Sequence, residues 1–218
     1  MYKRKQIQHV VMDMTGSYTE LCEIGKQIGI DKSPYTTLEG VHRHPYTGIY
    51  SMLFAHLKNK HIKFAEIGIA GGGSVILWNQ YFKKGVLRFF DRDANFLDNA
   101  RSFGFPCSTF ALMDVAKDGD ITRALGESGI DLYDVILDDS SHEYSHQIRI
   151  IKEAMPFIKS GGYIIVEDVF RNTPEADYER DLQDILPECS EAYFVVCNHE
   201  ERYSPGWNND KLLVLVKG

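Results

Sequence analysis

Two pairs of acidic residues have a spacing suited to binding a cation. The first pair opens the run Asp138-Asp-Ser-Ser-His142, and the second pair is Glu167 and Asp168, which follows a short apolar run. One strand–helix–strand unit separates the pairs, so neighbouring strands would carry both to the same carboxyl edge of a sheet. Carboxylates gathered there repel one another, and Mg²⁺, Mn²⁺ or Ca²⁺ would relieve that repulsion. Separate helix caps are the alternative interpretation.

A glycine-rich loop and a later acid indicate a nucleoside cofactor. The loop Gly68 to Ser74 stands between an apolar run and a helical pattern, where glycine lets the backbone approach a ligand closely. Asp91 ends the next apolar run, which is the place for a carboxylate that binds ribose hydroxyls. Ala70 replaces the second glycine of the NAD fingerprint. A tight turn followed by a capping Asp is the alternative.

The run Glu66-Ile-Gly-Ile-Ala-Gly-Gly-Gly-Ser74 resembles motif I of the class I S-adenosylmethionine (SAM) methyltransferases. In that family an acid begins the motif, its glycines pack under the methionine part of SAM, and the acid after the second strand holds the ribose. The resemblance implies that residues after the third strand contact the adenine. It covers about residues 60–218. The predicted cofactor-binding residues in and near these motifs are Glu66, Gly68, Gly72, Ser74, Asp91, Met113, Asp114 and Asp138.

The acidic runs resemble a narrower group, the metal-dependent sugar O-methyltransferases of macrolide biosynthesis. That group carries Asp-Asp-Gly-Ser-His and Gly-Gly-x-x-x-x-Glu-Asp, which match residues 138–142 and 161–168. The resemblance implies that Asp139, Glu167 and Asp168 bind Mg²⁺ and that His142 is the general base, with Asp139 and His142 at the reacting centre. Ser140 stands where the family has glycine. Residues 1–60 are too short for the auxiliary region of the macrolide enzymes. The resemblance therefore does not identify the acceptor of this chain.

The chemistry is coherent for methyl transfer to a hydroxyl. Transfer from a sulfonium is an in-line displacement that depends on positioning. A metal lowers the pKa of the acceptor hydroxyl, and an imidazole takes its proton. Vicinal hydroxyls suit this best, so we expect a small sugar or glycoside acceptor. A catechol-type O-methyltransferase, an NAD(P)-linked oxidoreductase and a non-catalytic nucleoside-binding protein are the alternatives.

The run His142-Glu-Tyr-Ser-His146 matches the H-E-x-x-H signature of zinc metalloproteases. It follows Asp-Asp-Ser-Ser, which is a helix-start signal, whereas the protease motif lies inside a helix. We therefore predict no protease and place His146 beside His142.

Three other segments contain groups that could contact a ligand. Val41 to Tyr50 is rich in His and Tyr, and Tyr46 and Thr47 are predicted to line the cofactor and substrate pocket; an ordered loop is the alternative. Arg171-Asn172 follows the second acidic pair and could reach a polar substrate or form a solvated turn. Tyr203 to Asn209, with Trp207, is predicted to close over the acceptor.

These residues require a sheet to position them. Apolar runs alternate with helical patterns from Phe64 to Val166, which predicts strand–helix–strand units in a mostly parallel sheet. The runs 192–197 and 211–217 have no helical pattern between them, so the last strand should be antiparallel. The predicted fold is a Rossmann-like class I methyltransferase sheet flanked by helices. Residues 61–218 form that domain, and 1–60 form an extension that acts as a lid or an oligomer element.

Composition narrows the class of partner. The chain has 218 residues and a formal net charge of −7, which disfavours a nucleic-acid or membrane binder. The basic stretch Met1 to Lys5 is followed by no apolar segment, so we expect no signal peptide. The 4 cysteines show no C-x-x-C spacing, which favours reduced thiols in the cytoplasm. A homo-oligomer is expected, with residues 1–48 as a lid or an interface.

Overall fold

The computed structural model describes residues 6–218, so the prediction about Met1 to Lys5 lies outside it. The described chain forms one eight-stranded sheet with the order β1-β7-β8-β6-β5-β2-β3-β4. The strands are β1 Gln8–Asp13, β2 Lys63–Ile67, β3 Val86–Asp91, β4 Ser108–Leu112, β5 Tyr133–Asp138, β6 Ile158–Val169, β7 Cys189–Asn198 and β8 Lys211–Lys217. The α-helices are α1 Glu20–Ile28, α2 Tyr46–Leu53, α3 Gly73–Tyr81, α4 Ala94–Ser102, α5 Asp120–Glu127, α6 Tyr144–Ala154 and α7 Glu175–Asp181.

Only β8 runs against its neighbours among the described strands. It pairs antiparallel with β6 and β7, and the other five pairs are parallel. The predicted methyltransferase-type α/β sheet with a terminal antiparallel strand is therefore confirmed. Strand β5 is buried along its whole length because helices cover both faces of the sheet.

The core has two halves, one on each face of the sheet. Helices α1 to α4 cover one face with an aromatic-rich cluster that contains Phe64 and Trp78. Helices α5 to α7 cover the other with Ile150 and Tyr178. Along β5, Leu137 faces the first cluster and Ile136 the second, as the alternation of side chains in a strand requires.

The N-terminal segment is more regular than its sequence suggests. Strand β1 adds to the sheet beside β7, and α1 contacts α2 and α3, whereas the sequence indicated no alternation of strands and helices before residue 60. The sequence has a helical pattern from Ile49 to Leu57, whereas helix α2 begins at Tyr46 and ends at Leu53. The boundary at residue 60 stays a prediction. Among residues 6–218, none of the helices is both long enough and apolar enough to cross a bilayer.

Candidate functional site

The two acidic pairs lie at one edge of the sheet. Strands β5 and β6 are parallel neighbours, with Asp138 opposite Val166, so the prediction that both pairs leave the same carboxyl edge is confirmed. His142 and Asp168 have positive φ angles of 59° and 54°. Such angles are costly for residues with a Cβ and persist only where the surrounding structure enforces them, as happens at functional sites.

Three side chains at this edge form a candidate cation site. Asp139, His142 and Asp168 each offer a ligand atom, and these atoms lie within 4.8 Å of one another. The His142 Nε2 atom is 3.5 Å from Asp168 Oδ2. The hydroxyl of Tyr46 donates to Asp168 Oδ1 over 2.7 Å. Burial raises the pKa of Asp168 to about 6, with Asp139 adding to the effect. Two carboxylates and one imidazole are a donor set that fits a divalent ion.

Glu167 lies in the same cluster but faces different partners. Lys32 donates to it, and Tyr50 donates to its Oε1 atom over 2.5 Å. Burial raises the pKa of Glu167 well above its ordinary range, although the ammonium of Lys32 opposes that shift. The structure thus groups two of the three predicted metal ligands with the predicted base, while the third is directed to Lys32 and Tyr50.

Asp138 stabilises the turn after β5. Its Oδ1 atom accepts from the Ser140 amide over 3.1 Å and from the Ser140 hydroxyl over 2.6 Å. Ser140, the departure from the family pattern, therefore adds a hydrogen bond to the turn. Burial raises the pKa of Asp138 to about 6.

The glycine loop lies against this acidic edge. Gly68 has a φ angle of +88°, and a Cβ there would come within 2.2 Å of the Asp139 carbonyl oxygen. Asp91 holds the loop, since its Oδ2 atom accepts from the amides of Ile69 and Ala70 over 2.9 and 3.3 Å. Asp91 therefore braces the loop, in addition to the predicted ribose contact. Gly72, with a φ angle of +84°, is the residue before α3.

A cleft opens between this loop, the end of β3 and the turn after β5; we call it the cofactor cleft. Asp91 and Asp114 lie at its wall, and Met113 is buried beneath it. The full lining is Ile67, Gly68, Ala70, Asp91, Arg92, Phe96, Met113, Asp114, Val115, Ala116, Asp139, Ser140, Ser141, Glu143 and His146. A second cleft, the N-terminal cleft, shares Gly68, Ala70 and Asp139 with it and also contains Lys32 and Ser74. Five predicted cofactor residues thus line one cleft or both: Gly68, Ser74, Asp91, Met113 and Asp114.

Glu66 is fully buried behind the loop. Its side-chain oxygens have no hydrogen-bond partner within residues 6–218, and Oε1 lies 3.9 Å from the Lys32 ammonium. Burial raises the pKa of Glu66 to about 7, while Lys32 opposes the shift. A buried carboxyl group that accepts no close hydrogen bond is costly even beside an ammonium, so Glu66 is a candidate for a function rather than for stability.

The first two residues of α2 lie in different environments. Tyr46 reaches the acidic edge, whereas the Thr47 hydroxyl donates to Cys22 Sγ over 3.3 Å. Thr47 is therefore packed between helices and lines neither cleft. His142 precedes α6, so the two histidines of the H-E-x-x-H run do not share one helix. His146 lies with its Nδ1 atom 2.8 Å from Ser141 Oγ.

The loop between β7 and β8 is held beside the site. Arg171 pairs with the buried Asp210, which fixes the base of the loop rather than leaving Arg171 to a substrate. Trp207 is 53% exposed, and its ring lies 5.3 Å from that of His42. The rings of His42, His44 and Tyr46 stack in sequence at 5.0 and 4.8 Å. A tilted ring contact with His42 thus joins the exposed Trp207 to the stacked rings that end at Tyr46, the residue that binds Asp168.

Sequence reasoning missed Lys32 and Tyr50. Lys32 lies in an irregular polar segment, where a lysine ordinarily points to solvent, and no periodicity marks it. Tyr50 lies on the apolar face of α2 and is indistinguishable by pattern from a core aromatic.

No family model matches the chain. Two curated relatives from Streptomyces olivaceus align with it over 58% of its length and 33% of theirs. They are 8-demethyl-8-(2-methoxy-alpha-L-rhamnosyl)-tetracenomycin-C 3'-O-methyltransferase, 28% identical, and 8-demethyl-8-alpha-L-rhamnosyl tetracenomycin-C 2'-O-methyltransferase, 29% identical. The chain spans about a third of the length of the curated relatives it matches.

The fold is that of the class I methyltransferases. The solved structure of MycE methyltransferase from the mycinamycin pathway, in complex with Mg, SAH and mycinamycin VI, superposes with a TM-score of 0.67. It is 16% identical, and the match covers 93% of this chain and 54% of that one. The resemblance to the sugar O-methyltransferases is confirmed in sequence by the tetracenomycin relatives, and the fold by the MycE match.

Proposed function

We propose that the chain is a SAM-dependent, divalent-metal-assisted O-methyltransferase that methylates a hydroxyl of a sugar or glycoside. The observation that carries this proposal is the contact between the two halves of the site. Gly68 of the glycine loop lies against Asp139 of the acidic edge, and both residues line the cofactor cleft. A methyl donor in the cleft would therefore lie next to an acceptor held at the acids.

The cofactor cleft suits SAM for three reasons. Gly68 lets its loop pack closely against the turn after β5 and so form one side of the cleft, Asp91 offers a carboxylate in the cleft wall, and Met113 gives an apolar surface for adenine. Each carboxylate oxygen has two acceptor sites, so Asp91 can brace the loop and still accept from ribose hydroxyls. Gly72, with its φ angle of +84°, allows the turn into α3, and Glu66 lies buried behind the loop. Thr47 is not assigned a cofactor contact.

The acidic edge suits a divalent ion. Asp139 and Asp168, with His142 beside them, would hold it, and Glu167 completes the predicted set if it exchanges Lys32 for the ion. When bound, Mg²⁺ or Mn²⁺ supplies a Lewis acid that lowers the pKa of the acceptor hydroxyl.

The residues of the chain then have distinct tasks. Tyr46 orients Asp168 through its hydrogen bond. The acceptor oxygen forms a bond to the methyl carbon as the carbon–sulfur bond breaks, which leaves a methyl ether and the neutral demethylated cofactor. The His142 imidazole, a quarter of which is exposed, takes the hydroxyl proton. A sugar with vicinal hydroxyls is preferred because the tetracenomycin relatives are named for rhamnosyl O-methylation.

Two further assignments belong to this proposal. The absence of C-x-x-C spacing among the four cysteines of the sequence is compatible with a reducing cytoplasm, where SAM is available. A homo-oligomer remains the expected state.

The test is methyl transfer from radiolabelled SAM to a panel of acceptors. The panel contains rhamnosylated polyketides, simple methyl glycosides and catechol, each with Mg²⁺ or with EDTA. We expect labelled glycoside that requires Mg²⁺. Labelling of catechol alone would favour the catechol-type alternative, and turnover that is undiminished in EDTA would remove the metal from the proposal.

A further inference from the structure

Lys32 is a buried cation among the acids of the site. Its side chain is only 2% exposed. The ammonium donates to Asp139 Oδ2 and Glu167 Oε2 and lies 3.9 Å from Glu66 Oε1. An ammonium without partners is very costly to bury, so these carboxylates account for its position.

The main chain holds Lys32 in place independently of its side chain. Its carbonyl oxygen accepts from the amides of Tyr46 and Thr47 over 3.2 and 3.1 Å. These amides belong to the first turn of α2, whose N–H groups have no partner within the helix. The preceding carbonyl, of Asp31, accepts from the His44 amide over 2.7 Å. Lys32 is therefore built into the fold and not a surface lysine that has found a carboxylate.

The ammonium shares Asp139 with the candidate ion site. It binds Asp139 and Glu167 on its own side, while Asp139, His142 and Asp168 form the group that can accept an ion. We propose that Lys32 is a built-in cation that keeps the acidic edge assembled without metal and lowers the affinity of that edge for a divalent ion. This rests on the metal site of the proposed function.

Two effects of Lys32 act in the same direction. Its charge repels a divalent ion bound a few ångströms away, in an interior where screening by water is weak. It also occupies Glu167, which would otherwise be available as a third carboxylate ligand. Removing the charge while keeping a side chain of similar length should therefore tighten binding of the ion.

The experiment measures binding of Mn²⁺ to the metal-free chain by electron paramagnetic resonance, without SAM or acceptor. We expect Lys32→Met to bind Mn²⁺ at least about tenfold more tightly than wild type. Lys32→Arg keeps the charge, and Lys84→Met removes an exposed positive charge elsewhere; both should stay within about threefold of wild type. Unchanged or weaker binding by folded Lys32→Met would overturn the proposal, as would equal tightening by Lys84→Met.

Folding of the variant is part of the test. Should Lys32→Met refold only in the presence of Mn²⁺, followed by near-ultraviolet circular dichroism, the ion has taken the place of the ammonium and the proposal holds. If Mn²⁺ restores no folded protein where wild type refolds fully, Lys32 is not exchangeable for a metal and the proposal fails.

The outcomes also separate this proposal from the proposed function. Binding of Mn²⁺ by wild type with no change in Lys32→Met rejects the role of Lys32 alone. Binding by Lys32→Met but not by wild type supports that role and removes the metal from the wild-type reaction. If neither protein binds Mn²⁺, both the metal site and the role of Lys32 are rejected.

Discussion

Gly68 of the glycine loop packs directly against the main chain of Asp139. A Cβ on residue 68 would lie 2.2 Å from the Asp139 carbonyl oxygen and 2.7 Å from the Cα atom of Ser140. The Asp139 amide in turn donates to the Ile67 carbonyl over 2.9 Å. The loop that follows β2 and the acids that follow β5 thus have a single fixed relationship, and neither can move without the other.

Gly68→Ala should disrupt both halves of the site. Its φ angle of +88° disfavours any Cβ, and the contact with backbone atoms cannot be relieved by a side-chain movement. We expect a loss of more than about 1 kcal/mol in the free energy of unfolding and weaker binding of SAH. Gly16→Ala is the control, because no atom lies within 4 Å of a Cβ there and the residue lines neither cleft. Chemical denaturation and calorimetry measure the two effects, and equal behaviour of the two variants would contradict the account.

His142→Ala should slow the reaction without emptying the cofactor cleft, since His142 does not line that cleft. Loss of a general base lowers the rate by about 10²–10⁴-fold. The affinity for SAH should stay near that of wild type. His61→Ala, at an exposed position, is the control. Single-turnover methyl transfer measures the rate, and full activity of His142→Ala would exclude it as the base. A large loss of Mn²⁺ affinity would make it a metal ligand instead.

Tyr46→Phe should weaken the ion site through Asp168. The variant removes the hydroxyl that donates to Asp168 Oδ1 and leaves the buried ring in place. Outer hydrogen-bond partners of ligands are typically worth about 10–100-fold in metal affinity. Tyr133→Phe removes a hydroxyl that bonds Ser128 instead, and should leave Mn²⁺ affinity unchanged. Equal Mn²⁺ affinities of Tyr46→Phe and wild type would show that the hydrogen bond does not position Asp168 for the ion.

The buried Glu66 gives the metal-free chain a characteristic pH dependence. Its pKa is raised from 4.5 to about 7, so the folded state binds a proton more tightly than the unfolded state does. The resulting contribution to the free energy of unfolding is fully present below pH 4.5 and is lost as the pH rises through about 7. Its full size, for a pKa raised from 4.5 to about 7, is about 3 kcal/mol.

Glu66→Gln removes that loss, because an amide does not ionise. In EDTA, the variant should be more stable at pH 8 than wild type, relative to the difference between them at pH 4. Thermal unfolding across this range measures the effect. A difference in stability that does not change with pH would show that Glu66 does not titrate with a raised pKa.

The sequence predicted the elements that bear regular patterns. Lys211–Lys217 is a strand with the expected bounds, because an apolar run bounded by polar turns is the main local signal for a strand. Strand β1 was missed because it is an edge strand with no buried residue, so it lacks the apolar pattern of a buried strand.

The acids of the site were predictable, whereas their counter-charge was not. Asp139 follows β5 and Asp168 is the penultimate residue of β6, and the topology of a parallel sheet brings such strand ends together. Lys32 lies 107 residues before Asp139, and its position depends on how the segment before α2 crosses the sheet edge. No local pattern encodes that long-range contact. The contacts of Lys32 with the acids that could bind a metal ion are therefore visible only in the folded chain.

Calorimetric titration of the chain with SAH tests the central claim most directly, since every later step depends on SAM in the cofactor cleft. The account predicts saturable binding of one SAH per chain, weakened at least about tenfold in Asp91→Ala, which loses the carboxylate in the cleft wall and the brace of the loop. The absence of SAH binding by folded wild-type protein would contradict the account.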